Sequence, residues 1–230
     1  MAEVKKGLAE GFKLKDMGEH HHFLGVKVFQ NPQSGEVWMG QEAYAQSVLQ
    51  KFGMENGKPI HTPVDASLKL VKMTKDCENV GQVQFQLAVG SLLFLSIMTR
   101  PDITYAASNL VKFCAGPSKQ HCTAVKCIMC YLKGTLSLGL LCRKDGSSDC
   151  IGYCDANWAG DTDDHKSTSG YMFQISGVAI SWRSKKRSYV PLLTAEAEYI
   201  ALASAAQEAI WMQQLLTDVR NPPKRTNQDL

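Results

Sequence analysis

The sequence predicts a mixed α+β fold in two parts: an opening β-hairpin followed by helices, then three strands and one long helix. Three observations lead there. Apolar and polar residues alternate on both sides of a turn between Phe23 and Met39. Apolar residues then recur at spacings of three and four in several runs between Gln41 and Lys133. After a polar, turn-rich segment at Arg143 to Asp149 the pattern changes to short apolar runs, which sets an expected boundary between residues 1–143 and 144–230.

The hairpin turn is marked by Asn31, Pro32, Ser34 and Gly35. From Gln41 to Phe52, residues Tyr44, Ala45, Val48, Leu49 and Phe52 form one helical stripe, and Gly53 stops it. Pro59 and Pro63 hold an extended segment inside a long connection from Gly57 to Gly81. Three more helices are expected: Val83 to Thr99, Pro101 to Cys114 with proline at its start, and His121 to Lys133 ended by Gly134. Beyond the boundary, Cys150–Trp158, Tyr171–Ile175 and Val178–Trp182 read as strands, the last two joined by a Ser176-Gly177 turn. A helix from Thr194 to Val219 closes the pattern, with Thr194 placed to cap it and Glu196 and Glu198 in its first turn.

The composition narrows the function classes. With 230 residues, 44% hydrophobic and 20% charged, the chain is too apolar for a disordered protein, and its Gly and Pro content is too low for a fibrous one. No apolar run reaches the about 20 residues of a membrane helix; the longest, Leu87 to Met98, is interrupted by Gly90, Ser91 and Ser96, so no membrane partner is expected. The N-terminus lacks the apolar run of a secretory signal, which places the eight cysteines as thiols in a reducing compartment, cytoplasm or nucleus. A net charge of +3 permits a nucleic-acid partner without requiring one. The compact run Arg183, Lys185, Lys186 and Arg187 is the candidate contact to such a backbone; its bland reading is a solvated loop.

Two carboxylates stand out. Glu198 falls in line with Leu202, Ala205, Ala209, Met212 and Leu216, the stripe expected to pack on the sheet, so a cation should face it. Asp155 ends a strand whose same-side neighbours are Ile151 and Tyr153. Two converging carboxylates share a proton or hold a hard cation such as magnesium or manganese, the chemistry of phosphodiester cleavage. The spacing alone equally allows a helix-dipole carboxylate and a strand-end aspartate. His20, His21 and His22 cannot converge on one ion from a strand, and Cys127 and Cys130 lie in a helical pattern without a second cysteine pair, so neither group is expected to bind metal.

Four motifs in order carry a resemblance: Gly152-Tyr153-Cys154-Asp155-Ala156-Asn157-Trp158-Ala159-Gly160-Asp161, Lys166-Ser167-Thr168-Ser169-Gly170-Tyr171, Ile180-Ser181-Trp182 with Ser184-Lys185-Lys186, and Ala195-Glu196-Ala197-Glu198-Tyr199. They resemble the ribonuclease H domain of copia-type (Ty1/copia) retrotransposon Pol polyproteins. Upstream, Asp16-Met17-Gly18-Glu19, Lys51-Phe52-Gly53-Met54, Thr99-Arg100-Pro101-Asp102-Ile103 and Tyr131-Leu132-Lys133-Gly134-Thr135 are similar to the end of the reverse transcriptase palm, the thumb and the connection. The resemblance implies a ribonuclease H-like α/β domain in residues 144–230, with Asp155 and Glu198 as metal ligands and catalytic carboxylates, magnesium or manganese as cofactor and an RNA/DNA hybrid as partner.

The departures from the family pattern limit that expectation. The polymerase Tyr-x-Asp-Asp motif is absent, so DNA synthesis by this chain alone is not expected. The third ribonuclease H carboxylate belongs on a strand after the long helix, and neither Asp218 nor Asp229 matches it. Weak metal binding and lost or very weak hydrolysis follow, with an open sheet edge beside Asp155 that invites self-association. Related polyproteins usually carry arginine where Cys127 and Cys130 stand, which implies weakened backbone binding. The rival expectation is a non-catalytic nucleic-acid-binding or interaction module, or a degenerate element.

Overall fold

A computed structural model describes residues 21–65, 70–72, 81–144, 149–191 and 193–220, together with residues 11 and 13. His20 and the segment from Asp16 to Glu19 lie outside the described residues, as do Asp229 and residues 66–69 and 73–80 of the long connection. The described chain folds into two antiparallel sheets and five α-helices, the mixed architecture the periodicities predict.

The opening hairpin is strands β1 (His22–Phe23), β2 (Val26–Gln30) and β3 (Val37–Gly40). The helices follow as α1 (Glu42–Lys51), α2 (Gln82–Met98), α3 (Thr104–Leu110) and α4 (Lys119–Gly134). The expected Pro101–Cys114 helix is α3 with a 3₁₀ turn at each end, Pro101–Ile103 and Val111–Phe113. A strand that the sequence pattern did not reveal, β4 (Leu140–Cys142), pairs with β3 and completes a sheet of order β1-β2-β3-β4. Three residues are too few to display a period of two, so only the pairing with a distant partner defines this strand.

The main core lies among these helices. Leu92 and Leu95 of α2, Ile103, Leu110 and Phe113 around α3, and Ile128, Met129 and Leu132 of α4 are all buried to within about 2% of full enclosure. Arg100 is buried with them. Its Nε donates to Asp102 Oδ1 at 3.0 Å, Nη2 donates to Asp102 Oδ2 at 2.7 Å and to Thr135 Oγ1 at 2.6 Å, and Nη1 donates to the Thr135 carbonyl. Tyr131 donates to the same Asp102 at 2.8 Å. Thus residues 99–103 and 131–135, which look like separate family motifs in the sequence, meet as one polar clasp that ties the start of α3 to the end of α4.

The second sheet has the order β5-β6-β7, formed by β5 (Cys150–Asn157), β6 (Thr168–Ile175) and β7 (Val178–Lys186). Ser176 and Gly177 both take positive φ, 53° and 75°, in the two-residue turn expected between β6 and β7. The long helix α5 (Thr194–Arg220) packs on one face through Ala197, Ala201, Ala205 and Met212, with Phe173 beneath it. Gly152 permits this: a Cβ there would lie 2.4 Å from Phe173 Cε1. The opposite face packs on the helical region. Leu140, Val178 and Ala179 form a small core with Met172 and Trp182, and Trp182 Nε1 donates to the Ser96 carbonyl at 2.7 Å. No helix among the described residues is long and apolar enough to cross a membrane.

His121 opens α4 from inside the core, stacked on Phe113 with ring centroids 3.7 Å apart. The Val71 carbonyl can only accept, so Nε2 carries the proton and donates to it at 3.1 Å, while Nδ1 accepts from the Ser118 N–H at 2.9 Å. Burial, assisted by Lys112, pushes the imidazole below its ordinary pKa of 6.5 against the opposing bond to Val71 and the charge of Asp163. The unfolded chain therefore binds this proton first. Urea unfolding should show stability intact above pH 6.5 and falling below it, with a slope of at most about 1.4 kcal/mol per pH unit, and His121→Gln should flatten the decline between pH 7 and 5.

Candidate nucleic-acid interface

Sheet register decides where Asp155 points. Strands β5 and β6 pair without interruption from Cys150 opposite Ile175 to Asn157 opposite Thr168. Opposed residues share a face and consecutive residues alternate. Phe173 and Tyr171 face α5, so their partners Gly152 and Cys154 do as well. Asp155 stands opposite Gly170 and therefore points away from α5, with Tyr153 and Asn157. It borders a cleft of about 400 Å³ walled on its other side by Pro101, Thr104 and Tyr105 and lined by no residue of α5. Its carboxylate is exposed and accepts from the Ala156 N–H at 2.9 Å.

Glu198 is also exposed, which corrects the expectation that it aims into the interior. The helix has two overlapping small-residue lines, and the one that packs runs through Ala197, Ala201 and Ala205; Leu202, in line with Glu198, stays 53% exposed. Alanine lets the helix axis approach Phe173 closely, so packing selects the alanine line and rotates Glu198 to its flank. Asp155 thus points away from the sheet face covered by the helix that carries Glu198. No group of three His, Cys, Asp or Glu among the described residues is placed to hold a metal. His21 and His22 are exposed, and Cys127 and Cys130 are free thiols on α4, with burial pushing the Cys127 thiol up, helped by Cys130 and Asp65.

The basic run is part of a strand for most of its length instead of a solvated loop, because β7 extends to Lys186. It divides by neighbour. Arg187 donates from Nε to Ser169 Oγ at 2.8 Å and from Nη2 to Ser204 Oγ at 2.7 Å, clamping α5 to β6. Lys186 Nζ lies 2.6 Å from Asp161 Oδ2 and 2.7 Å from Asp164 Oδ1. Arg183 and Lys185 are exposed and make no ion pair among the described residues.

Asp161 is a residue that motif reading missed. Its side chain is only 3% exposed, and its Oδ2 also receives Lys112 Nζ at 2.6 Å, from the 3₁₀ turn after α3. Burial alone would raise its pKa, but the bonds from Lys112, Lys186 and the Asp163 N–H prevail and hold it far below the usual carboxylate range. One carboxylate therefore binds the helical region to the second sheet. Beside this junction lies a second cleft of about 350 Å³, between α3 and β7, lined by Ser108, Asn109, Lys112, Ser184, Lys185 and Lys186 among others.

Residues 1–66 of this chain match the family described as Reverse transcriptase (RNA-dependent DNA polymerase), so its opening segment is reverse transcriptase-like. The chain is 41% identical to the Retrovirus-related Pol polyprotein from transposon TNT 1-94 of Nicotiana tabacum, over 95% of this chain and 17% of that protein. It is 36% identical to the Pol polyprotein from transposon RE1 of Arabidopsis thaliana, over 92% of this chain and 14% of that protein. An uncharacterized mitochondrial protein of Arabidopsis thaliana is 34% identical over 89% of this chain and 83% of its own length. The chain belongs to the copia-type retrotransposon Pol polyprotein family, and it spans less than a fifth of the two polyproteins. No solved structure matches it.

The Asp161 junction yields a stability test. Asp161→Asn leaves two lysines without their shared anion and should cost about 3 kcal/mol in urea unfolding at pH 7. Because the folded carboxyl titrates below its ordinary 3.8, its contribution is present above that value and is lost as pH falls further. The gap between parent and variant should therefore stay constant from pH 8 to 5 and close only in strong acid.

Proposed function

We propose that this chain is the nucleic-acid-holding part of a reverse transcriptase and ribonuclease H polyprotein, engaging an RNA/DNA hybrid but cleaving its RNA strand very weakly or not at all. In this reading residues 144–230 are a ribonuclease H-like unit, residues 1–143 the end of the palm, the thumb and the connection, and Asp155 and Glu198 the family carboxylates. The observation that carries it is the register of β5 on β6, which turns Asp155 away from the face where α5 and Glu198 lie. Magnesium or manganese is accordingly bound weakly if at all. Of the four basic residues, Arg183 and Lys185 are the exposed contacts, while Lys186 and Arg187 serve first as internal anchors. Self-association through β5 belongs to the same reading, supported by a strand exposed from Cys150 to Asp155.

A labelled RNA/DNA hybrid incubated with the chain, Asp155→Asn and Glu198→Gln in magnesium should give the same background cleavage for all three, alongside salt-dependent binding. Cleavage by the parent that either substitution abolishes would overturn the loss of hydrolysis. Sedimentation velocity over a concentration series should show association, and a monomer at every concentration would remove that part.

A further inference from the structure

Strand β5 stands at the edge of its sheet: β6 pairs with one side of it, and no strand among the described residues pairs with the other. Ile151 and Tyr153, 50% and 53% exposed, project from this edge strand on the face away from α5. On the covered face α5 lies over β5 and β6, and its two flanks differ. The flank toward β7 is tied down, since Ser204 Oγ accepts from Arg187 Nη2 at 2.7 Å and Glu208 accepts from Ser181 Oγ at 2.7 Å. The flank toward β5 is marked by Ala209 and Gln213, which border a cleft with Cys150 at the start of that strand. Helical spacing carries the same line back through Ala206 and Leu202, with Tyr199 and Ile210 beside it. All four are exposed, Tyr199 to 72% and Ile210 to 68%. An unpaired backbone edge and an apolar helix flank thus lie side by side at one margin of the molecule.

We propose that this margin is a two-fold interface between copies of the chain, in which β5 pairs antiparallel with the partner's β5 and the two α5 helices pack beside each other at Ala206. The inference rests on the self-association through β5 given above and adds to it the helix contact, the axis and the register. A two-fold axis perpendicular to the sheet makes the paired strands antiparallel and keeps both helices on one face. A helix seated between β5 and β6 lies about one strand spacing from that axis, so the two helices come about 10 Å apart, the separation of helices in contact. Phe173, opposite Gly152, touches Ala205, so the helix passes the middle of β5 near Ala206. Alanine suits the closest approach, and antiparallel helices centred there bring Leu202 against the partner's Ile210. Charge selects the register. Pairing the whole of β5 with itself allows a centre at Tyr153 or at Cys154. Centring on Cys154 makes the two Asp155 carboxylates diagonal neighbours, whereas centring on Tyr153 sets each against the partner's Ile151 and joins the two tyrosines as an aromatic pair.

Sedimentation equilibrium of the full chain in reducing buffer should show a monomer and dimer in exchange. Ala206→Arg, at an exposed helix position, and Tyr153→Lys, which sets two like charges against each other at the axis, should each raise the dimer dissociation constant about tenfold or more. Ala206→Ser, which stays small, and Trp211→Arg, exposed in line with Ser204 and Glu208 on the other flank, should change it less than about threefold. Thermal melts identify any variant that loses its fold. The register has its own readout in a chain carrying Cys150→Ser and Cys154→Ser. There Tyr153→Cys should form an intermolecular disulfide under mild oxidation, and Ile151→Cys, about 13 Å from its mate, should not. Association that survives Ala206→Arg unchanged, or that Trp211→Arg weakens equally, refutes the helix contact, and linkage through Ile151→Cys in place of Tyr153→Cys refutes the register. In each of these cases self-association through β5 stands. A monomer at every concentration overturns both.

Discussion

The two halves of the described structure meet on a single buried anion. Asp161 lies in the loop between β5 and β6 and accepts, through one oxygen, an ammonium from the helical region and another from β7, each at 2.6 Å. Removing one carboxylate and two amines from water is expensive, and the arrangement persists because Asp164 and the Asp163 N–H supply further bonds that satisfy the same groups. The bond between Trp182 and the Ser96 carbonyl works in the same direction from the middle of β7. Together these contacts fix α3 against the sheet at the distance that leaves a groove between them.

A stronger constraint on chemistry comes from the period of two along β5. A shift of one residue in the pairing with β6 would turn Asp155 toward α5 and Cys154 away. The register is held where it is by Phe173, which needs both the bare backbone of Gly152 beside it and the alanines of α5 above it. Core packing thus sets the orientation of Asp155. The same packing sets the phase of α5, because a helix seated on Ala197, Ala201 and Ala205 cannot also present Glu198 and Leu202 to the sheet.

Much of this architecture is legible in the sequence. The hairpin, the helices at Gln41, Val83 and His121, the Ser176-Gly177 turn and the long helix after Thr194 all follow from periodicity and punctuation, and they fall within a few residues of the observed elements. What stays hidden depends on partners far along the chain. Leu140–Cys142 becomes a strand only because Val37–Met39 offers a free edge about a hundred positions earlier. Glu198 looks interior because two stripes overlap on α5, and spacing cannot choose between them when both contain alanine. Asp161 gave no local signal beyond its place in a motif, since neither lysine that meets it is near in sequence.

The motifs that reveal kinship do not by themselves separate chemistry from architecture. Arg100 and Asp102 sit in a segment that resembles the family pattern, yet their work is to close α3 onto α4 through Thr135 and Tyr131. The adjacent pair Lys185-Lys186 makes the division sharper. Strand alternation sends consecutive side chains to opposite faces, so Lys186 reaches Asp161 and Asp164 while Lys185 is left exposed at the sheet edge. One lysine is consumed in building the junction and the other remains available to an outside anion. A short basic motif can therefore serve two independent physical purposes, and a substitution at either position removes only one of them.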